Sequence, residues 1–205
     1  VGITQTGGQC RASNYYPIIR KALVDAGFSR VPVISVSMSD SIRNHQPGFS
    51  LDYKSIAPIA FDAMLFGDSL SKMYHSSAVR TDNPDKALEL QDKHLQQAKQ
   101  HILRKDRKAL ARQLSQAVQD FNSILPKQHI ERPKVGIVGE IFLKFHPYAN
   151  QNIINRLMQE RIEVLPPQLT PFMTQYFVDR RAKAGFDVEK RRIPNFIVDF
   201  LYRPV

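Results

Sequence analysis

The sequence predicts an α/β fold in which parallel strands are interrupted by a helical insertion. Short runs rich in β-branched residues, Val1–Thr4, Val31–Ser37, the run opening at Val135 and Ile162–Leu165, alternate with longer amphipathic segments. A long stretch with helical periodicity separates the first two runs from the last two. Two strand starts are also alike: Val1-Gly-Ile3 and Val135-Gly-Ile137 each lead through a polar loop to an Asn at the head of a helix. Together these predict a Rossmann-like parallel sheet of about four strands. The sheet would be built from residues 1–54 and 126–205, with 55–125 as the insertion. The strands at Val1 and Val135 would be neighbours whose following loops open on one edge.

In the first unit, Val1 to Thr4 reads as a buried strand running into a turn at Gly7 and Gly8, which accept backbone angles closed to other residues. Ser13 or Asn14 is placed to cap the following helix, with Pro17 in its first turn. Tyr15, Ile18, Ile19, Ala22, Leu23 and Ala26 recur at helical spacing, so the helix is predicted over 14–26 with Gly27 as its stop. The strand at 31–37, with Pro32 at its beginning or on an edge, completes a right-handed βαβ unit. Residues 39–52 carry turn formers and little periodicity, and are read as a surface loop with a solvated His45.

The insertion begins with a helix over 55–73, marked by Ile56, Ile59, Ala60, Ala63, Met64, Phe66 and Leu70 and expected to break or bend at Gly67 and Asp68. Asn83-Pro84 opens the longest helical stretch, to about Leu125. Leu88, Leu95, Ala98, Ile102, Ala109, Leu110, Leu114, Ala117, Val118, Phe121 and Ile124 mark its apolar face. The run Arg104–Lys108 interrupts the pattern, and Asp106 is placed to cap a second helix, so two antiparallel helices or one kinked helix are predicted. From Lys86 to Lys134 there are 11 basic and 5 acidic residues, an excess of six.

Pro126 and Pro133 bracket a linker into the second strand-loop-helix unit, whose loop is Gly139–Asn150. A helix follows over 152–158, with Asn150 or Asn152 at its head, then the strand at 162–165. Further helices are predicted from Thr170 to about Ala184 and over 193–201. Arg180–Arg192 adds six basic residues against two acidic ones.

Composition narrows the function. At 205 residues and 42% hydrophobic, the chain can build a real core. It has no apolar run near the ~20 residues that span a bilayer and no secretory signal, which predicts a cytoplasmic protein without a membrane partner. A first residue that is Val, already inside a core strand, suggests a piece of a longer protein. Its single cysteine excludes an internal disulfide and a self-contained cluster or cysteine-type zinc site. A net charge of +10 points to an anionic partner: nucleic acid, an acidic protein, or a phosphate-bearing ligand such as a nucleotide or coenzyme A. Aromatic residues do not interleave with the basic stretches, which disfavours nucleic acid. Walker A, G-x-S-x-G, H-E-x-x-H and the complete Rossmann glycine fingerprint are all missing.

The available chemistry is sparse. Cys10, beside Arg11, reads either as a thiolate that can ligate a metal or as a small buried hydrophobe. Glu140, Lys144 and His146 lie in a loop directly after a strand, where an acid, a base and an imidazole can bind substrate or move protons. The bland alternatives are a Glu140 paired with Lys144 or Arg11 and a His146 that only fixes the loop. If the two strands are neighbours, Cys10, Glu140 and His146 face one cleft.

The runs Thr4–Tyr15 and Val135–Ile141, with Lys144-Phe-His-Pro147 and Asn150, resemble the large activators of 2-hydroxyglutaryl-CoA dehydratase, the CoA-substrate-specific enzyme activases. The similarity covers part of the region that follows their ATPase domains and itself resembles the dehydratase subunits. It is specific at the two loops and diffuse through the helices between them. What it implies is electron transfer driven by ATP hydrolysis in other domains, from a [4Fe-4S] cluster to a dehydratase acting on an acyl-CoA. By motif match Cys10 is the one position that could ligate a cluster, whose other ligands would come from outside this chain. The two loops would then help form a cluster or acyl-CoA site, with Gly7, Gly8, Arg11, Asn14, Lys144 and Asn150 as candidate cofactor-binding residues and Glu140 and His146, by residue type and position, as candidate catalytic ones. The partners implied are other domains of a parent chain, an acyl-CoA and a dehydratase. A function of another class is a non-catalytic module that docks an acidic partner or nucleic acid on its basic helices.

Overall fold

The computed structural model describes residues 1–5, 14–37, 52–171 and 174. They belong to two compact units, Val1–Asp52 and Tyr53–Val205. The turn at Gly7 and Gly8, Cys10, Arg11, the loop with His45, and the helices expected over 170–184 and 193–201 lie wholly or mostly outside the described residues.

In the first unit, strand β1 (Gly2–Gln5), helix α1 (Tyr15–Asp25) and strand β2 (Ile34–Ser37) form the expected βαβ arrangement. The strands are parallel, with Gly2 opposite Ile34 and Gln5 opposite Ser37. Asn14 occupies the N-cap position of α1 and its side chain makes no capping bond; Ser13, the other expected cap, lies outside the described residues. Gly27 stops the helix as predicted. At φ 81° it lets its N–H donate to Val24 O and the Phe28 N–H to Leu23 O, closing two carbonyls that the helix leaves open.

The second unit is built on three helices: α2 (Tyr53–Ala78), α3 (Pro84–Leu103) and α4 (Arg107–Ser123). α2 runs unbroken through Gly67 and Asp68, longer than the sequence suggested. Two antiparallel helices follow, as one of the two predicted alternatives had it. Their turn is made by Lys105 at φ 54° and by Asp106, whose carboxylate accepts the Ala109 N–H at 2.9 Å. The core gathers Ile59, Phe66 and Leu70 from α2, Ala87 and Ala98 from α3, and Leu110, Ala117 and Phe121 from α4.

The apolar face of α3 is not the one the leucines suggested. Leu88 and Leu95 are exposed, and the buried line is Ala87, His94 and Ala98. Small side chains take the fully buried positions, and Leu90 and Ile102 pack against the core from partly buried ones. His94 is accommodated because both ring nitrogens are bonded. Gln113 Nε2 donates to Nδ1 at 2.6 Å, and Nε2–H donates to Asp120 at 3.2 Å. Lys93 and Gln116 hold the same carboxylate, each at 2.8 Å.

Strand β3 (Lys134–Gly136), the short helices α5 (Ile141–Phe145) and α6 (Ile153–Gln159), and strand β4 (Glu163–Leu165) complete the unit. β3 and β4 are parallel, with Val135 opposite Val164. Four strands therefore form near where the sequence placed them, β1 paired with β2 in the first unit and β3 with β4 in the second. β1 lies in the first unit and β3 in the second. What stands is a mixed, helix-rich fold with small parallel sheets.

The end of α2 is where helices and strands are joined. Arg80 donates to Ser76 O at 2.7 Å and to Glu163 of β4 at 2.6 Å, Arg132 donates to Val79 O at 3.1 Å, and Arg161 to Thr81 O at 2.8 Å. Cationic donors on a carbonyl of the last turn and on two just beyond it satisfy groups without intrahelical partners and match the dipole.

Candidate functional site

In parallel α/β units, ligands sit beyond the carboxyl ends of the strands. A cavity of about 500 Å³ lies there in the second unit. Lys144 and Phe145 reach it from the segment after β3, and Pro166, Pro167 and Leu169 from the segment after β4. α2 forms the opposite wall, with Asp68, Ser71 and His75 among its contributions.

Each polar wall residue has a local physical setting. Asp68 accepts the backbone N–H groups of Leu169 at 3.0 Å and Thr170 at 2.7 Å, so its carboxylate fixes the segment after β4 at the head of a helical turn. His75 is buried, and its Nδ1–H donates to Ser71 O at 2.6 Å, which leaves Nε2 as the acceptor of a neutral ring. Burial pushes the His75 pKa down from its usual 6.5, against the bond to Ser71. Lys144 brings a cation over the Phe145 ring, 5.8 Å from its centroid. An ammonium group beside prolines, Phe145 and a neutral imidazole suits a ligand with an anionic end and an apolar body.

The sequence-predicted residues are only partly brought together. The segment 139–150, expected to be a loop, contains α5. Glu140 is the N-cap of that helix, accepting the Phe142 N–H at 2.7 Å. His146 ends it, stacked on Phe142 at 4.8 Å, with Nδ1 accepting the Ala149 N–H at 3.4 Å. Asn150 donates to Leu143 O at 3.0 Å, and its buried Oδ1 has no partner among the described residues. Of the four named residues in this segment, Lys144 lines the cavity and Glu140, His146 and Asn150 do not. A cleft shared with Cys10 involves a residue outside those described, as do the roles of Gly7, Gly8 and Arg11. Asn14 is exposed at the head of α1.

His75, Ser71 and Asp68 were not foreseen. The available signal was their spacing: positions 68, 71 and 75 put three polar groups on one stripe of the helix. Among the described residues, no three His, Cys, Asp or Glu side chains are grouped to hold a metal ion. No helix among them is long and apolar enough to cross a membrane.

His94 titrates like His75. Burial lowers its pKa from 6.5, opposed by Asp120 and aided by Lys93. For both rings the unfolded chain takes up a proton more readily than the folded one. Stability is therefore complete above about pH 6.5 and falls as pH drops from there toward the lowered folded values. Urea midpoints measured from about pH 7.5 to 5.5 are expected to decrease, and to decrease less in His94→Gln, which keeps a donor and an acceptor but does not titrate.

Comparison of the chain with protein-family models, characterised proteins and solved structures finds no match.

Proposed function

We propose that this chain is a dehydratase-like module of an activator-like protein for 2-hydroxyacyl-CoA dehydratases, and that the cavity at Lys144 takes the anionic end of an acyl-CoA. The observation carrying this reading is the meeting of the segments after two parallel strands around a cavity that holds a lysine. The resemblance of the Thr4–Tyr15 and Val135–Asn150 motifs names the ligand class. In this reading the two parallel pairs are parts of a Rossmann-like arrangement within a longer cytoplasmic protein whose other domains hydrolyse ATP. A single cysteine does not hold a [4Fe-4S] cluster, so Cys10 would be one ligand among others supplied from elsewhere.

Within the cavity this chain's own residues have separable roles. Lys144 neutralises phosphate charge, Asp68 keeps the segment after β4 in place, and His75 offers an acceptor that stays unprotonated at neutral pH. Titration calorimetry of the full chain with coenzyme A and with acetyl-CoA tests the reading. Lys144→Ala is expected to weaken binding roughly tenfold, the loss of one charge-assisted contact. Glu140→Gln, which keeps an acceptor for the Phe142 N–H and does not line the cavity, is expected to leave it within about twofold. Absence of binding, or binding indifferent to Lys144→Ala, would end the assignment.

A further inference from the structure

Among the described residues, the three-helix assembly of the second unit is open along one seam. Two cavities of about 440 and 410 Å³ lie between α2 and α4, and Leu114 lines both. The first places Asp62, Leu65 and Phe66 of α2 against residues 107–114 of α4. The second places Ser69, Lys72, Met73 and Ser76 against residues 114–125. The two helices therefore run in the same direction, and the groove continues along both of them. From position 62 to 76 its length is about 21 Å, at the 1.5 Å rise of a helix.

The lining mixes apolar residues with polar ones, and its apolar part is open to solvent. Leu65 is 39% and Val118 45% exposed, above a floor that includes buried Phe66 and Leu110. Charge on the groove is cationic after internal pairing. Asp62 is bonded to Arg107, and Glu163 is held by Arg80 and Lys134. Lys72 and Lys108 have no carboxylate partner among the described residues.

We propose that this groove is a docking site for an acidic amphipathic helix of another polypeptide. Such a helix would complete a four-helix arrangement, laying leucine-type residues over Leu65, Leu114 and Val118 and carboxylates beside Lys72 and Lys108. The apolar floor gives nothing to a phosphate backbone, and two lysines are a small track for nucleic acid. A second copy of this chain would approach with the same net charge of +10. The inference does not depend on acyl-CoA binding, since the groove and the Lys144 cavity have no lining residue in common.

The probe is a fluorescein-labelled peptide of about 18 residues, long enough for the groove, with Leu at i, i+4, i+7 and i+11 and Glu on the flanks. Anisotropy with the full chain is expected to show binding, roughly tenfold weaker for a scrambled peptide of the same composition. The double reversal Lys72→Glu/Lys108→Glu should weaken it about tenfold, and a peptide with Lys in place of the flanking Glu should regain affinity for that variant. Val118→Asp, at an exposed position that leaves the fold intact, should weaken both complexes. Equal binding of the scrambled peptide, or no effect of Val118→Asp, overturns the proposal. So does displacement of the peptide by a short DNA duplex that loses affinity through the same lysines. Sedimentation showing a dimer that Val118→Asp dissociates would assign the groove to a second copy and overturn it as well.

Discussion

Replacing Phe121 by alanine is expected to cost about 3–5 kcal/mol of stability, the usual price of emptying a fully buried aromatic site. Phe121 is 2% exposed and belongs to the core cluster that α2, α3 and α4 share. Its ring lies 6.4 Å from the His94 ring, so truncation removes packing from the one buried polar group on α3 as well as from the apolar cluster. The backbone around it belongs to long helices on three sides, which limits how far the site can collapse. Urea unfolding of Phe121→Ala should show a lower midpoint with little change in slope, whereas Val118→Ala, 45% exposed and three residues earlier on α4, should stay within about 0.5 kcal/mol. A cost below about 1.5 kcal/mol for Phe121→Ala would mean that α4 does not present this face to the core.

Arg80→Met is expected to destabilise by about 3 kcal/mol, because it strands a buried carboxylate. Arg80 and Glu163 have side chains 13% and 8% exposed and meet at 2.6 Å. Lys134, 3.6 Å from the same carboxylate, remains in the variant, which keeps the expected loss at the low end of the range for broken buried pairs. Arg80→Met/Glu163→Met should recover more than half of the loss, since no charge is then left in the interior. Acid unfolding gives a second readout. Burial pushes the Glu163 pKa up, but the hydrogen bond and charge of Arg80, with Ser76 and Lys134, outweigh it and hold the group below its usual 4.5. A carboxyl lowered on folding contributes stability above its unfolded pKa and loses it as pH falls through the folded one. Removing Arg80 takes away that lowering, so the acid limb of the stability profile should move to higher pH. An Arg80→Met protein with the wild-type acid limb would show that the pair is not formed in solution.

The elements of this protein were legible to different degrees. Strands and helices were found near their true limits wherever a local signal marked them: Gly27 after α1, Asn83-Pro84 before α3, Asp106 between α3 and α4. Each works through backbone hydrogen bonds within a few residues, so short-range sequence suffices. The continuity of α2 through Gly67 was not legible. A glycine costs a helix only about 1 kcal/mol, and packing of Phe66 and Leu70 on either side of it outweighs that preference. The short helix α5 was missed because its stability comes from the cap at Glu140 and the stacking of His146 on Phe142, not from a long periodic pattern.

In the candidate site, the sequence singled out the segment after β3, and the structure separates its named members by their surroundings. Glu140 and His146 looked catalytic by type and are engaged in holding α5. Lys144 is the one that meets the cavity. His75 and Asp68 went unnoticed because nothing in the sequence says which stripe of a buried helix faces a strand end.

By itself the sequence determined the alternation of strands and helices, the parallel pairing of each βα unit, the helical character of 53–123 and the cationic balance, all properties of local pattern and composition. Only the tertiary structure decided that alanines and His94 rather than Leu88 and Leu95 line the α3 seam, and that Arg80 answers Glu163 from 83 positions away. These depend on which surfaces fit closely enough to exclude water, and on whether a buried charge finds its counter-charge. Both are relations between residues remote in the chain, which local pattern does not encode.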